Sequence, residues 1–338
     1  MTRLGIVFIV IELTLLAALP SFGQALKLDK TISAADLGAS TVMPVHCDSA
    51  GDVFVRRFQA SDGNLPLIKI SPDGKLRAVL DIEAAGMKDN LSKLIWKSFA
   101  IANDGTAYQL VKDQQGTVIV LKFDTEGRYD KAIFIGKFEP MQIAVFRSGS
   151  FLISGSSIVE GALPGSFPLF AGIFDQNGKL VRQIQVISSD SERTGDIKSK
   201  AGDRVAYSLP ELGIAESDGM NAYLLSQGSK PRVSVVTEAG ELDHQIVLDP
   251  PNESVSQVSA LKVGNGQLMV EYFQPKSGPS GNTTYYLRTY QDRNGELLSE
   301  YSRDPEVRGA LACTDSRGSF TFLSEDKSGP IMLVARAR

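Results

Sequence analysis

The sequence repeats one short glycine turn between strand-forming segments, and this repetition constrains the fold more than any other feature. In each copy an apolar segment ends at a turn that contains glycine, and a second strand-forming segment follows, as in Asp48-Ser-Ala-Gly51-Asp-Val-Phe-Val. The turn glycines of the six copies are Gly51, Gly105, Gly149, Gly219, Gly266 and Gly318. Their mean step is about 53 residues, a length typical of the blades of a β-propeller.

A second set of turns lies between two further segments of each unit, but in five copies only. Its glycines are Gly74, Gly127, Gly178, Gly240 and Gly295. Asp or Asn beside Gly favours a β-hairpin, because glycine accepts a positive φ and the Asp or Asn side chain bonds the local backbone. The chain ends after the apolar segment 331–335, where the sixth turn of this set would follow.

The missing sixth hairpin predicts how the ring closes. We expect residues 25–33 to supply the outer strand that the last unit lacks, which removes an open sheet edge. Residues 24–338 are therefore predicted to form a single all-β domain. The predicted fold is a six-bladed β-propeller of four-stranded antiparallel blades, closed by an N-terminal strand that completes the last blade.

The N-terminus indicates export. Residues 1–23 have the features of a signal peptide, with Arg3 at the start, an apolar stretch over 4–19 and small residues before Gln24. The apolar stretch is too short for a membrane span, which needs about 20 residues. We therefore predict a secreted or periplasmic, monomeric protein with no membrane span.

The composition excludes several classes of function. The chain has 338 residues, and its 35 basic and 39 acidic side chains nearly balance, which is unlike the basic surface of a nucleic-acid binder. Two histidines leave little material for His-based metal or acid–base chemistry. A hydrophobic content of 43% excludes a mainly disordered chain.

The segment Asp48-Ser-Ala-Gly51-Asp-Val-Phe-Val55, followed by Leu67-Ile-Lys-Ile-Ser-Pro-Asp-Gly74-Lys-Leu, resembles the NHL repeat. The chain as a whole is similar to secreted bacterial propellers of the NHL and TolB-like group. That resemblance implies a six-bladed propeller. It does not imply one activity, because members of the group range from binding platforms to lactonases and lyases.

The predicted topology separates two rims. Both sets of glycine turns lie at one end of the ring, which we call the turn rim. The opposite end, the long-loop rim, receives the connections between second and third strands and the crossings between blades, and these vary greatly in length. The longest of them are 56–65, 82–97, 155–168, 188–210 and 273–282. Because variable loops on a rigid scaffold commonly carry binding, we predict that the ligand or partner surface is this rim, centred on the channel.

Several side chains near the long-loop rim are candidates for ligand binding. Trp96, the single Trp, lies beside Lys97 just before an inner strand, and Trp offers flat apolar area with a polar edge. Glu211, Glu271 and Tyr272 are placed on the same rim, and His46 could point into the channel. The alternatives are that Trp96 packs a loop onto the rim, that Glu211 is a solvated carboxylate, and that His46 is a packed strand residue.

The two cysteines suggest a disulfide. Cys47 and Cys313 both precede a first-set turn, in the first and last predicted blades, which are neighbours at the closure. An oxidising compartment would allow a bridge between them. Two buried free thiols are the alternative.

The sequence contains no catalytic motif that we can assign. Lactonase-type propellers hold a divalent cation such as Ca²⁺ with channel oxygens, and Glu139, Glu211 and Asn103 are the candidates here. Their offsets differ from blade to blade, so we expect no metal and no cofactor.

The leading hypothesis is a non-enzymatic exported propeller that recognises a protein, peptide or glycan on the long-loop rim. A lactonase- or lyase-like hydrolase with a divalent cation at the channel mouth is one alternative. A purely structural envelope component is another.

Overall fold

The computed structural model describes residues 21–37, 40–59, 63–82, 94–157, 169–184, 186–188, 205–207, 214–227, 231–251, 257–274, 284–315 and 318–338. Most of the predicted signal peptide therefore lies outside the described residues, and Ser21–Gly23 form the start of the first strand. Glu211 and much of the five long connections assigned to the long-loop rim also lie outside the described residues.

The described residues form an all-β, propeller-like ring of four-stranded antiparallel sheets, four of which are separate. Sheet 1 contains β2 (Ser40–Cys47), β3 (Val53–Gln59), β4 (Gly63–Ile70) and β5 (Leu76–Leu80). Sheet 2 contains β6 (Ile95–Ile101), β7 (Ala107–Lys112), β8 (Thr117–Phe123) and β9 (Tyr129–Lys137). Sheet 3 contains β10 (Glu139–Val145), β11 (Phe151–Ser156), β12 (Leu169–Phe174) and β13 (Leu180–Ile184). Sheet 4 contains β16 (Ala215–Ser217), β17 (Asn221–Ser226), β18 (Arg232–Thr237) and β19 (Leu242–Val247).

Eight further strands form one continuous sheet, which holds both ends of the described chain. In spatial order its strands are β20 (Gln257–Gly264), β21 (Gln267–Gln274), β22 (Thr284–Gln291), β23 (Leu297–Arg303), β1 (Ser21–Ser33), β26 (Gly329–Ala337), β25 (Ser319–Asp326) and β24 (Ala310–Thr314). Three short elements complete the described secondary structure. They are a parallel pair, β14 (Val186–Ser188) with β15 (Val205–Tyr207), and a 3-10 helix at Ala35–Leu37.

The first strand, β1, closes the ring. It runs antiparallel to β26, with Ser33 opposite Ile331, so the predicted pairing of the N-terminal segment with the last strand is confirmed. It also runs parallel to β23, with Gln24 opposite Tyr301. The prediction of six separate blades is therefore wrong. The structure has four separate four-stranded sheets, and the parallel pair β1–β23 joins the remaining strands into one sheet of eight.

The inner strands surround a central axis. β2, β6, β10, β16, β20 and β24 each contact the next inner strand in chain order, and β24 contacts β2. Each inner strand begins after the connection that leads into its group of strands, and it ends at one of the first-set glycine turns. Each inner strand therefore runs from the long-loop rim to the turn rim.

The glycine turns form as predicted, and two of them also need glycine for close approach. Gly74 has a φ of +85°, and a Cβ there would lie 2.1 Å from the carbonyl oxygen of Ser33 at the end of β1. Gly219 has a φ of +89°, and a Cβ there would lie 2.9 Å from Nδ2 of Asn103 in another turn. Glycine therefore provides both the backbone conformation and the space at these two contacts.

The core lies between neighbouring sheets. Between sheets 1 and 2, Phe54, Phe99 and Leu121 are almost completely buried and pack in one cluster. Full burial of side chains of this size contributes about 1.5–3 kcal/mol each. The sheets are thus held to one another by apolar layers, which fixes the inner strands around the axis.

A disulfide joins Cys47 at the end of β2 to Cys313 in β24, as predicted. The two Cα atoms are 5.8 Å apart, and the bridged residues are separated by 266 positions in the chain. The bridge ties sheet 1 to β24, one of the two inner strands of the eight-stranded sheet, beside the axis. Among the described residues, no helix is long and apolar enough to cross a membrane.

We expect the double variant Cys47→Ser/Cys313→Ser to lower the free energy of unfolding by about 2–4 kcal/mol, because the bridge restricts the unfolded chain over a very long loop. Urea denaturation of the variant and of the wild-type protein measures the difference. The reduced wild-type protein should match the variant. Two reactive thiols in the denatured, unreduced wild-type protein would contradict the assignment.

Candidate functional site

A cavity of about 500 Å³ lies at the axis, and we call it the axial cavity. The ends of five inner strands and the turns that follow them form its wall, and it opens at the turn rim. Its polar side chains include His46, Asn103, Glu216, Asp218 and Lys262. The cavity is thus at the opposite end of the channel from the rim where we predicted binding.

Three polar side chains meet across the axis at one side of this cavity, and we call them the axial cluster: His46 of β2, Glu216 of β16 and Lys262 of β20. Nζ of Lys262 lies 2.7 Å from Oε1 of Glu216 and donates to the carbonyl oxygen of Val45 at 2.5 Å. Nδ1 of His46 lies 3.3 Å from Oε2 of Glu216. The cluster therefore links sheet 1, sheet 4 and the eight-stranded sheet through a single carboxylate.

Glu216 is ionised in this setting. Burial alone would raise the pKa of its carboxyl group, but the positive charge of Lys262 and the hydrogen bond to His46 outweigh burial and lower that pKa to about 2. A buried ion pair of this kind depends on both partners, because removing one leaves the other charged and desolvated.

His46 is buried, with 6% of its surface exposed, and its ring packs edge-on against Phe99 of sheet 2 at 4.8 Å between centroids. Nε2 of His46 has no hydrogen-bond partner among the described residues. The structure thus brings His46 to the channel, as the sequence suggested, and also packs it.

Hydrogen bonds between turns hold the mouth of the cavity. Oγ of Ser49 donates to the carbonyl oxygen of Asn103 at 2.8 Å, and Nδ2 of Asn103 donates to the carbonyl oxygen of Asp218 at 3.1 Å. The Asp218 carboxylate accepts hydrogen bonds from the backbone amides of Met220 and Asn221, each at 2.7 Å, and from the Tyr223 hydroxyl at 3.0 Å. These contacts hold the Asp218 carboxylate in place at the mouth.

At the opposite rim, Trp96, Lys97, Lys112 and Glu139 form a group that we call the rim patch. Both lysine ammonium groups pair with the Glu139 carboxylate, Lys97 through Oε1 and Lys112 through Oε2. Trp96 is half-buried and packs on the apolar layer between sheets 1 and 2, which is the alternative that the sequence left open. The neighbouring Ile95 is 47% exposed. The predicted pair Trp96–Lys97 thus lies at the long-loop rim, at the start of β6.

Glu271 and Tyr272 are buried rather than open to solvent. The Glu271 carboxylate accepts hydrogen bonds from Nη1 of Arg303 at 2.5 Å and from Oγ of Ser259 at 2.8 Å. The Tyr272 and Tyr290 hydroxyls lie 2.9 Å apart. These contacts brace the eight-stranded sheet, and the ligand-binding role of both residues stays a prediction. The role of Glu211, outside the described residues, also stays a prediction.

Within the described part of the chain, no group of three or more His, Cys, Asp or Glu side chains could hold a metal ion. The two described candidates for channel oxygens, Glu139 and Asn103, do not meet. Glu139 lies in the rim patch, Asn103 lies at the opposite mouth, and Glu211 is outside the described residues. The lactonase- or lyase-like alternative stays a prediction.

Glu216, Lys262 and Asp218 were not predicted from the sequence. The available signal was a charged residue inside an otherwise apolar inner strand, as at Lys262 in the run Val258–Val263. A charge at such a position must find a partner across the channel.

No protein-family model matches the sequence, and no curated protein matches it. Among solved structures, a protein of unknown function from Bacteroides caccae is 11% identical over 76% of this chain and 85% of that chain, with a TM-score of 0.41. A putative oxidoreductase (glucose dehydrogenase) of Thermus thermophilus is 10% identical over 92% of this chain and 100% of that chain, with a TM-score of 0.44. Polysaccharide lyase Uly1 is 13% identical over 73% of this chain and 57% of that chain, with a TM-score of 0.43. At this level of similarity, none of them bears on the activity of this chain.

We expect acid to remove the stabilisation that Glu216 provides. Its pKa falls from the ordinary 4.5 to about 2 on folding, so the contribution is complete above about pH 5 and is lost as the pH falls towards 2. The free energy of unfolding of the wild-type protein should drop over this interval by about 3 kcal/mol more than that of Glu216→Gln. Urea denaturation at a series of pH values measures both profiles.

The variant Glu126→Gln, at an exposed turn, corrects for the loss of one carboxylate from the chain. Parallel profiles for the wild-type protein and Glu216→Gln would contradict the assignment of Glu216 to the axial cluster.

Proposed function

We propose that this chain is an exported, non-enzymatic binding propeller, related in kind to the secreted NHL and TolB-like propellers, which recognises a protein, peptide or glycan through its long-loop rim. Export is supported by the N-terminal sequence and by the disulfide, because such bridges persist in oxidising compartments. The observation that carries the proposal is the rim patch.

The rim patch has an excess of positive charge. Lys97 and Lys112 share the single carboxylate of Glu139, so one ammonium charge has no anionic counterpart within the patch. Burial would raise the pKa of Glu139, but the hydrogen bonds from the two lysines lower it, so the carboxylate is charged. All three groups are partly buried, which weakens solvent screening and strengthens their attraction for a further anion.

The second feature of the patch is apolar area beside the charge. Trp96 is half-exposed next to Lys97, and Ile95 is the most exposed residue of β6. Aromatic area flanked by cations suits a ligand that combines a flat ring or chain with a carboxylate, such as a uronic-acid glycan or an acidic peptide. We therefore expect the ligand to be acidic.

We expect the wild-type protein to bind a carboxylate-bearing probe, and Lys97→Gln and Lys112→Gln each to weaken that binding about tenfold, since a charge-assisted hydrogen bond contributes about 1.5–3 kcal/mol. Calorimetric titration with oligogalacturonate and with an oligoglutamate peptide measures these affinities. Comparison of the two probes distinguishes a glycan ligand from a peptide ligand. A neutral maltose oligomer should bind weakly.

The matched control is Lys122→Gln, because Lys122 is also ion-paired, to Asp130 at 2.9 Å, but lies on an outer hairpin. Its affinity should equal that of the wild-type protein. An equal loss of affinity in Lys97→Gln, Lys112→Gln and Lys122→Gln would overturn the proposal. The absence of binding of both acidic probes to the wild-type protein would also overturn it.

A further inference from the structure

We propose that Asn265 is a site of spontaneous deamidation, at which the side-chain amide is converted to a carboxylate. Asn265 and Gly266 form the two-residue turn between β20 and β21, and Asn265 lies in the wall of the axial cavity. The site is at the turn rim, so the inference does not depend on the proposed function. It comes from the conformation of this turn and from a comparison of the Asn-Gly pairs in the chain.

The reaction needs only the chain and water. The backbone nitrogen of the next residue attacks Cγ of the Asn side chain, the Cγ–Nδ2 bond breaks, and the amide proton leaves with Nδ2 as ammonia. The product is a five-membered imide. Water then opens the imide at one of its two carbonyl groups, which gives Asp or isoaspartate. A following glycine favours the attack, because glycine has no side chain beside its nitrogen and restricts the backbone least.

Three Asn residues precede a glycine, and their backbones differ. They are Asn177, Asn265 and Asn294. Asn265 has a φ of +54° and is the one residue other than glycine with a positive φ in the described part of the chain. Gly266 has a φ of +72°. A two-residue hairpin loop in which both residues have a positive φ is a type I′ turn.

A single peptide flip brings this turn to the conformation that the attack requires. Types I′ and II′ are the two favoured turns of a two-residue hairpin, and both have a positive φ at the first central residue. In type II′ the ψ of that residue is about −120°, which turns the next nitrogen towards its Cβ, as the imide ring requires. The pairing of Gly264 with Gln267 is compatible with both turns, so the flip leaves the hairpin closed.

The attacking nitrogen and the water that must follow it both have access. No acceptor within the described residues takes a hydrogen bond from the Gly266 amide. The Gly266 carbonyl oxygen accepts from the Asp292 amide at 3.2 Å, which anchors the far side of the turn during the flip. Asn265 and Gly266 are exposed, so solvent reaches the imide.

The other two Asn-Gly pairs lack these features. The amide of Gly178 donates to the carbonyl oxygen of Asp175 at 2.9 Å, and the amide of Gly295 donates to the carbonyl oxygen of Gln291 at 2.9 Å. Each of these hydrogen bonds must break before the nitrogen can attack. Neither of the preceding Asn residues has a positive φ. The structure therefore favours the reaction at Asn265 over the other two sites.

Deamidation of Asn265 changes the axial cavity. Both products place a carboxylate in the cavity wall where a neutral amide stood. Isoaspartate also lengthens the main chain by one carbon atom, and the register of a hairpin is set by the length of its loop. The turn follows the strand that carries Lys262, so the new charge lies at the same end of the channel as the axial cluster.

The experiment is peptide mapping by mass spectrometry after incubation of the full wild-type chain at mildly alkaline pH. Water labelled with heavy oxygen marks the products that form during the incubation. Asn177 and Asn294 are the matched controls, because each also precedes a glycine. We expect Asn265 to deamidate at least about tenfold faster than either, since a hydrogen bond at the attacking nitrogen adds to the barrier at the other two sites.

A parallel incubation in urea distinguishes the effect of the turn from that of the local sequence. Unfolding removes the turn and the backbone hydrogen bonds, so the three Asn residues should then react at similar rates. Deamidation of Asn265 in the folded protein no faster than that of Asn177 or Asn294 would overturn the proposal. The same preference for Asn265 in urea would also overturn it, because the neighbouring residues alone would then explain the rate.

Discussion

The pairing of the first strand with two later strands is the constraint on which the rest of the structure depends. β1 lies between β23 and β26, and Leu26 at its centre is fully buried in the apolar layer there. Without β1, both neighbouring strands would present open edges, which promote aggregation. The chain continues from β1 onto sheet 1, where Asp36 accepts a hydrogen bond from the backbone amide of Leu76 at 3.2 Å. One N-terminal segment thus joins the beginning and the end of the ring.

The closed ring stabilises the buried charged side chains at the axis. Lys262, Glu216 and the Val45 carbonyl group come from three different sheets, and their contacts require those sheets to hold fixed positions. Desolvation of two charges is offset only when the geometry is good and the remaining polar atoms are bonded. The apolar layers between sheets and the disulfide supply that rigidity. The cavity and the rim patch are consequences of the same arrangement, at opposite ends of the inner strands.

Local features were predictable from the sequence, and long-range polar partners were not. The turn at Gly74 and the pairing of residues 25–33 with the last strand follow from hairpin patterns and from a missing repeat. No local sequence pattern indicates the parallel pair β1–β23, so the prediction of six separate blades was wrong. Lys262 and Val45 are 217 positions apart, and no spacing rule connects them. Glu271 was assigned to the rim because it comes near the end of a predicted second strand, and its buried partner, Arg303, could not be identified from the sequence.

The central claim is that β1 is an integral part of the sheet, and hydrogen–deuterium exchange measured by mass spectrometry tests it most directly. If β1 closes the ring, the amides of residues 26–33 exchange as slowly as those of residues 331–337, their antiparallel partners, because both open only when the ring opens. Exchange of residues 26–33 within seconds, as in a frayed terminus, while residues 331–337 stay protected, would contradict the account.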